Sequence, residues 1–310
     1  MSSLCQAVED YLSLRHSLGF NLRCPGALLG KFAAFAEAKG AEYVTISLAL
    51  DWATRSPYQK PATWADRMKA VRVFARHQHA LDARTEVPPY GLLPYRPPRA
   101  RPYLYTEDEI RRLLEATARL RSTKGIRPHT YYCLLGLLAV SGLRISEALA
   151  LRQPEVDLQA GILTIRKTKF KKSRLVPLHP STVDALRHYA EQRHSLLPTC
   201  RSDSFLVSDF GRASEVSAVR RTFYELSRRV GLRQGEVNCS PRLHDFRHRF
   251  ALETMIRWYR SGQDVERQLP VLSTYLGHAH VSDTYWYLTH CPELMEWALR
   301  RLESHWEVLP

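Results

Sequence analysis

Apolar residues recur at helical spacing along most of the chain. Leu4, Val8, Tyr11, Leu12 and Leu18 keep that spacing up to Gly19, and Leu28, Leu29, Phe32, Phe35 and Ala36 repeat it before Gly40. A short helix is expected near Ser47 to Thr54. Trp64, Met68, Val71 and Phe74 then follow Thr63, read as the cap of a fourth helix. Residues 1–86 are therefore expected to form a small all-helical domain.

The periodicity stops at VPPYGLLPYRPPRARPY, residues 87–103, whose six prolines predict an extended linker. Beyond it, Thr106 with Glu109 forms a capping box ahead of Ile110, Leu113 and Leu114. A buried helix is expected from about His129 to Val140. The stretch GILTIRKTKFKKSRLVPL, residues 161–178, sets two β-rich runs around a charged tip, the pattern of a hairpin. Helical segments follow near 181–194, 214–230, 241–260, 265–276 and 281–287. The fold class expected is mainly α with a small antiparallel β-sheet. After Pro292, Leu294, Ala298, Leu302, Trp306 and Leu309 form a stripe, so residues 291–310 read as a C-terminal helix or tail. That tail would either fold back on its own domain or dock on a neighbouring protomer.

Charge narrows the partner. The chain has 310 residues, and its 45 Lys and Arg against 31 Asp and Glu give +14, which favours a polyanion such as nucleic acid. The excess is shared by both portions of the chain, so either one could face a phosphate backbone. Arg67, Lys69, Arg72 and Arg76 lie along one segment of the first domain, and Arg99 and Arg101 in the linker. Each could touch phosphate or be a solvated surface charge. The longest nearly apolar run, Tyr131 to Leu143, is too short to span a bilayer, and MSSLCQAVEDYL lacks the pattern of a secretion signal, so a cytoplasmic protein with no membrane partner is expected. The six cysteines are scattered without zinc-site spacing.

Familiar signatures of other chemistries are missing. There is no G-x-x-x-x-G-K-[ST], no G-x-S-x-G and no H-E-x-x-H. His244 and His248 are four apart, but Arg247 lies between them and no third ligand is evident, so no metal site is expected. What remains is a set of cations and one cluster of rings. Arg144 stands in SGLRISEAL just after a buried helix and three residues before Glu147. Lys169 sits among Lys167, Lys171 and Lys172 at the hairpin tip. His244 and Arg247 share one helical face, and LGHAHVSDTYWYLTH contains His278, His280, Tyr285, Trp286 and Tyr287. Taken singly, each reads as easily as a surface pair, a solvated turn or a packed ring.

Their order carries more information. Arg in S-G-L-R-x-S-E, Lys in a hairpin ending R-L-V-P-L, then H-x-x-R, L-G-H, and Tyr nine residues on resembles the tyrosine recombinase (phage integrase) family of transposons and other mobile elements. Arg144, Lys169, His244, Arg247, His278 and Tyr287 fill the six places. The resemblance covers about residues 104–290 and implies an α+β catalytic domain there, with residues 1–86 similar to the family's helical core-binding (SAM-like) domain. Thirty residues separate Arg247 from His278, more than in compact members, and an extra turn near Gly262 would account for them.

The resemblance also implies roles. Tyr287 would be the nucleophile, with Tyr275, Tyr285 and Trp286 packing around its helix and His280 a bystander. Arg144 and Arg247 would clamp the non-bridging phosphate oxygens, and His278 would donate a further hydrogen bond. His244 would help deprotonate Tyr287, and Lys169 would protonate the departing 5′-oxygen, with Lys167 and Lys171 near enough to compete for that task. Glu147 would orient the site rather than react. A phenol with a pKa of about 10 needs such help to attack a phosphodiester. The implied reaction is breakage and rejoining of double-stranded DNA through a 3′-phosphotyrosine, with no cofactor, metal or ATP. The implied assembly is a homo-oligomer on DNA, with sister recombinases as further partners. Lys167, Lys171 and Lys172 would add DNA contacts. A type IB topoisomerase and an inactive DNA-binding accessory protein are the alternatives.

Overall fold

The computed structural model describes residues 3–56, 58–93, 101–166, 173–233, 240–287 and 292–306. The chain divides into two compact units, Met1–Arg99 and Ala100–Pro310.

The first unit contains four helices among its described residues: α1 (Leu4–Ser17), α2 (Arg23–Ala38), α3 (Ile46–Thr54) and α4 (Pro61–His79). Side-chain oxygens start two of them. Ser3 accepts from the Gln6 N–H and Thr45 from the Leu48 N–H, each satisfying a donor that the first helical turn leaves free. The fourth helix begins earlier than Thr63. Pro61 occupies the first turn with Lys60 as N-cap, because proline's fixed φ suits a position whose N–H has no helical partner. The helices close over Val8, Leu29, Phe32, Val71 and Phe74. Phe32 meets Trp52 edge-on with ring centroids 5.3 Å apart, and Tyr11 meets Phe74 at 5.6 Å.

The second unit opens with α5 (Glu107–Thr117), where both halves of the Thr106–Glu109 capping box form. Next come α6 (Ile126–Ser141) and the short α7 (Ile145–Ala150). A three-stranded antiparallel sheet follows in the order β1 (Val156–Asp157), β2 (Ile162–Ile165), β3 (Arg174–Pro177). Ile165 pairs with Arg174, the last pair before the segment that joins the two strands. Lys167, Lys169, Lys171 and Lys172 lie beyond that pair, outside the described residues. The unit continues through α8 (Pro180–Leu196), α9 (Val216–Arg229), α10 (Asp245–Arg260), α11 (Val265–Leu276), α12 (Ser282–Tyr285) and α13 (Pro292–Trp306).

Two segments are shorter than their periodicity predicts. The helix expected over 241–260 starts at Asp245, whose carboxylate accepts from the Arg242 N–H at 2.8 Å and so holds a turn ahead of the helix. The one expected over 281–287 is a single turn, Ser282–Tyr285. The segment between α10 and α11 is a tight turn at Gly262, φ +69°, and both flanking helices are continuous.

The larger core of this unit is built on α6, whose Ile126, Leu134, Leu135, Leu137 and Leu138 are all buried among Leu113, Leu163, Leu186 and Leu226. A second cluster joins Ala251, Met255, Leu269, Leu272 and Leu276 to Tyr287 and Leu294. The end of α6 lies against the second cluster. Gly142 adopts φ +59°, and a Cβ there would stand 2.6 Å from Phe250 and 3.0 Å from Leu276. Gly142→Ala combines left-handed strain with overpacking and should lower stability by about 2–4 kcal/mol, read from the urea midpoint.

Candidate active site

Two helices end on left-handed glycines, and one arginine closes both. Helix α6 is capped by Gly142 and α11 by Gly277, φ +68°. The last carbonyls of a helix lack N–H partners and carry the negative end of its dipole. Arg247, in the first turn of α10 and 1% exposed, donates to both ends: Nη1 to the Gly142 carbonyl at 2.9 Å and Nη2 to the Leu276 carbonyl at 2.6 Å. Burial pulls its pKa down to about 10, which leaves it fully cationic at neutral pH.

Arg144 is the N-cap of α7 and reaches the same place. Its Nη2 donates to the Gly277 carbonyl at 3.2 Å, and its Nη1 to Glu147 Oε1 at 2.8 Å. Glu147 is buried and shared: Arg174 of β3 donates to both its oxygens, at 3.2 and 2.8 Å, while Arg174 Nε donates to the Tyr275 carbonyl at 2.7 Å. Burial alone would push the Glu147 carboxyl up. The hydrogen bonds and charge of Arg174, then those of Arg144, outweigh it and hold the group below its ordinary value. Gly277 is also a steric requirement, since a Cβ there would lie 2.6 Å from Arg174 Nη1.

Tyr287 is 3% exposed and lies beside the Arg247 guanidinium. Burial raises its pKa, against the opposing charges of Arg247 and Arg144. The His278 ring stacks beside Tyr287 with centroids 6.0 Å apart, and its Nδ1 lies 2.8 Å from Thr284 Oγ1. His248, buried, contacts three rings: His244 at 4.8 Å, Trp286 at 4.8 Å and Tyr287 at 5.3 Å. All three histidines are held neutral. Desolvation, then the charges of Arg247 and Arg144, takes His278 to about 4. His244 is exposed as a residue, yet local desolvation followed by Arg247, Arg144 and Arg242 also brings it to about 4. Burial, then His244 and Arg242, lowers His248 to about 3.

The fold thus gathers Arg144, Glu147, His244, Arg247, His278 and Tyr287 into one place. Tyr285 is 48% exposed, and Tyr275 instead stacks on Phe250 at 5.5 Å. His280 is exposed. In the first unit, Arg67 and Arg72 lie over the rings of Trp52 and Tyr90, and Arg72 Nε donates to the Pro88 carbonyl at 2.9 Å. Lys69 and Arg76 are exposed, as is Arg101 in the second unit. Arg99 lies outside the described residues, like the four hairpin lysines. Sequence reasoning missed the parts played by Arg174, His248 and Thr284. Arg174 was visible only as the start of R-L-V-P-L, and His248 only as a neighbour of Arg247. Among the described residues no three His, Cys, Asp or Glu side chains cluster as a metal site, and no helix is long and apolar enough to cross a membrane.

Comparison with known proteins places this arrangement in a family. The phage integrase family model matches residues 104–293. A Sinorhizobium fredii protein named as an integrase/recombinase, y4rB, is 52% identical over 99% of each chain. The tyrosine recombinase XerD of Caulobacter vibrioides is 33% identical over 74% of this chain and 71% of its own. In fold, the chain is similar to the Tn1549 transposon integrase solved with a circular intermediate DNA (TM-score 0.68, 14% identity, 98% and 100% of the two chains). It also resembles the XerH site-specific recombinase bound to a palindromic difH substrate (TM-score 0.60, 20% identity, 91% and 78%). The chain belongs to the phage integrase family. It is an enzyme of the tyrosine recombinase type, a class that breaks and rejoins DNA strands.

Glu147→Gln removes the one carboxylate that Arg144 and Arg174 share and should cost about 3 kcal/mol of stability at pH 7. Because the folded-state pKa lies below the unfolded one, this contribution is complete above the ordinary carboxylate range of about 4.3 and disappears as pH falls through the folded value. Urea unfolding of both proteins from pH 7 down to pH 3 should show the gap closing only in the acid part of the range.

Proposed function

We propose that this protein cuts and rejoins DNA at specific sites through a covalent bond between Tyr287 and a 3′-phosphate, in the service of a mobile element. The observation that carries the reading is the buried Tyr287 beside the buried Arg247 guanidinium, with Arg144 and His278 alongside. That arrangement offers a phosphodiester both a nucleophile and positive charge for the oxygens that become more negative as the phosphorane forms.

The steps balance without a metal or nucleotide. The Tyr287 oxygen bonds to phosphorus as the bond from phosphorus to the 5′-oxygen breaks. His244, neutral near pH 7, takes the phenolic proton, and Lys169 supplies one to the departing oxygen. His248 touches both the His244 and Tyr287 rings, so that proton passes as DNA settles the tyrosine segment or through a water. Arg144 and Arg247 hold the non-bridging oxygens, His278 adds a hydrogen bond, and Glu147 orients Arg144. Attack by a second 5′-hydroxyl then reverses the sequence and reseals the strand, since the phosphotyrosine ester conserves the bond.

Under this reading residues 104–290 are the catalytic domain, residues 1–86 a core-binding domain, 87–103 their linker and 291–310 a tail that packs on its own unit through Leu294 and offers the exposed Met295 and Leu299 to a neighbouring protomer. Arg67, Lys69, Arg72, Arg76, Arg99, Arg101, Lys167, Lys171 and Lys172 contact the DNA backbone. The protein works as a homo-oligomer on duplex DNA, with or without a sister recombinase, in the cytoplasm. The likeness in fold to a transposon integrase supports the mobile-element role.

The test is covalent trapping on a nicked duplex bearing a sequence that the protein itself selects from random DNA. Wild type and Tyr285→Phe should form an adduct that survives denaturant, Tyr287→Phe should bind the duplex normally and form none, and Arg144→Gln should slow trapping by about 10²–10³-fold. Tight binding with no adduct from wild type would instead identify a DNA-binding accessory protein.

A further inference from the structure

Thr284 is completely buried, on the single helical turn between His278 and Tyr287. Three helical threonines elsewhere in the chain, Thr54, Thr254 and Thr274, each donate their hydroxyl to the carbonyl four residues back. Thr284 does not. Among the described residues its one side-chain hydrogen bond is to His278 Nδ1 at 2.8 Å. The backbone of the same residue engages the nucleophile's segment: the Thr284 N–H donates to the Val281 carbonyl at 2.8 Å, and the Thr284 carbonyl accepts the Tyr287 N–H at 3.1 Å.

A buried hydroxyl has one proton to place, and leaving it unshared costs about 1–3 kcal/mol. Here the acceptor within reach is the imidazole nitrogen. A hydroxyl that donates to Nδ1 leaves that nitrogen bare and puts the ring's proton on Nε2. The distinction matters because His278 is neutral: a doubly protonated ring would donate from either nitrogen, whereas a neutral ring donates from one only. Burial and the groups facing it explain its neutrality. Desolvation comes first; Arg247 at the start of α10, Arg144 at the start of α7 and Arg174 on β3 also oppose protonation, and Asp283 beside Thr284 favours it.

We propose that Thr284 is a positioning residue that fixes His278 as its Nε2–H tautomer, so that the neutral ring presents a donor to the scissile phosphate while the same residue's carbonyl holds the Tyr287 backbone. The inference rests on the phosphotyrosine reading above for its catalytic consequence, but the tautomer itself is a property of the DNA-free protein. The hydroxyl thereby links the residue that stabilises the phosphate to the residue that attacks it across ten positions of chain, 278–287.

The experiment has two arms on the full chain. In the first, ¹⁵N-histidine NMR of DNA-free protein at pH 7, with His278 assigned by its absence in His278→Gln, reports which nitrogen carries the proton. Wild type and Thr284→Ser should be Nε2–H, and Thr284→Val, the same shape without the hydroxyl, should show a mixture or the opposite tautomer. In the second, single-turnover trapping on the selected nicked duplex should slow by about 10–100-fold in Thr284→Val, the scale on which partners that orient functional histidines act. Duplex affinity should stay unchanged, and Thr284→Ser should restore most of the rate. An Nδ1–H ring in wild type, or an unchanged tautomer in Thr284→Val, overturns the proposal. So does a Thr284→Val rate defect that Thr284→Ser shares in full, because the loss would then follow packing and not the hydroxyl. If wild type forms no adduct, the phosphotyrosine reading falls while the first arm still decides the tautomer.

Discussion

A buried guanidinium that has no carboxylate of its own among the described residues is the constraint on which the second unit turns. Arg247 is held by the carbonyl ends of α6 and α11, so helix dipoles and unsatisfied backbone acceptors substitute for a counter-ion. This choice has consequences in every direction. It requires both helices to stop on turns that expose a carbonyl to the same point, which is why glycine caps them. It also fixes the start of α10 against the end of α11, and the Tyr287 hydroxyl against the cation. A carboxylate partner would have satisfied the arginine more simply, but it would have cancelled the charge that the proposed reaction offers a phosphate.

The second balance is struck at Glu147, where one carboxylate serves two arginines from different elements. Arg174 is nearly buried and takes the tighter share, through both carboxylate oxygens. Arg144 keeps more exposure and divides its donors between Glu147 and the Gly277 carbonyl. The three histidines add no charge, because burial and the neighbouring arginines keep them neutral. The site therefore carries guanidinium cations beside imidazoles that are free to accept or relay protons. Strong positive potential and proton-transfer capacity are assigned to different residues.

Much of this was legible in the chain, and what was not has a physical pattern. Helical periodicity gave the elements of both units, and the capping box at Thr106 gave the start of α5, because those signals are local. The spacing of H-x-x-R, L-G-H and the tyrosine nine residues on singled out positions that the fold brings together. Helix starts governed by Pro61 and by the Arg242–Asp245 turn were misplaced, since apolar spacing does not register either. Contacts between distant positions were invisible. Nothing in R-L-V-P-L announces that its arginine will meet a glutamate 27 residues earlier, or that it will lie on a glycine where no Cβ would fit. Arg67 and Arg72 read as bare charges along one segment, whereas folding lays both over aromatic rings.

The scarcity of acid in the pocket sets a limit on how this protein can be improved. Arg144, Arg174 and Arg247 repel one another in the folded state, and Glu147 answers only part of that repulsion, so this cluster of like charges is a standing source of instability. Substitutions that neutralise an arginine or add a carboxylate nearby would relieve it. Selection for heat resistance would find such changes readily, and each would weaken the positive potential that the proposed reaction uses. A thermostable version of this enzyme has to draw its added stability from elsewhere, in the cores and loops away from the pocket.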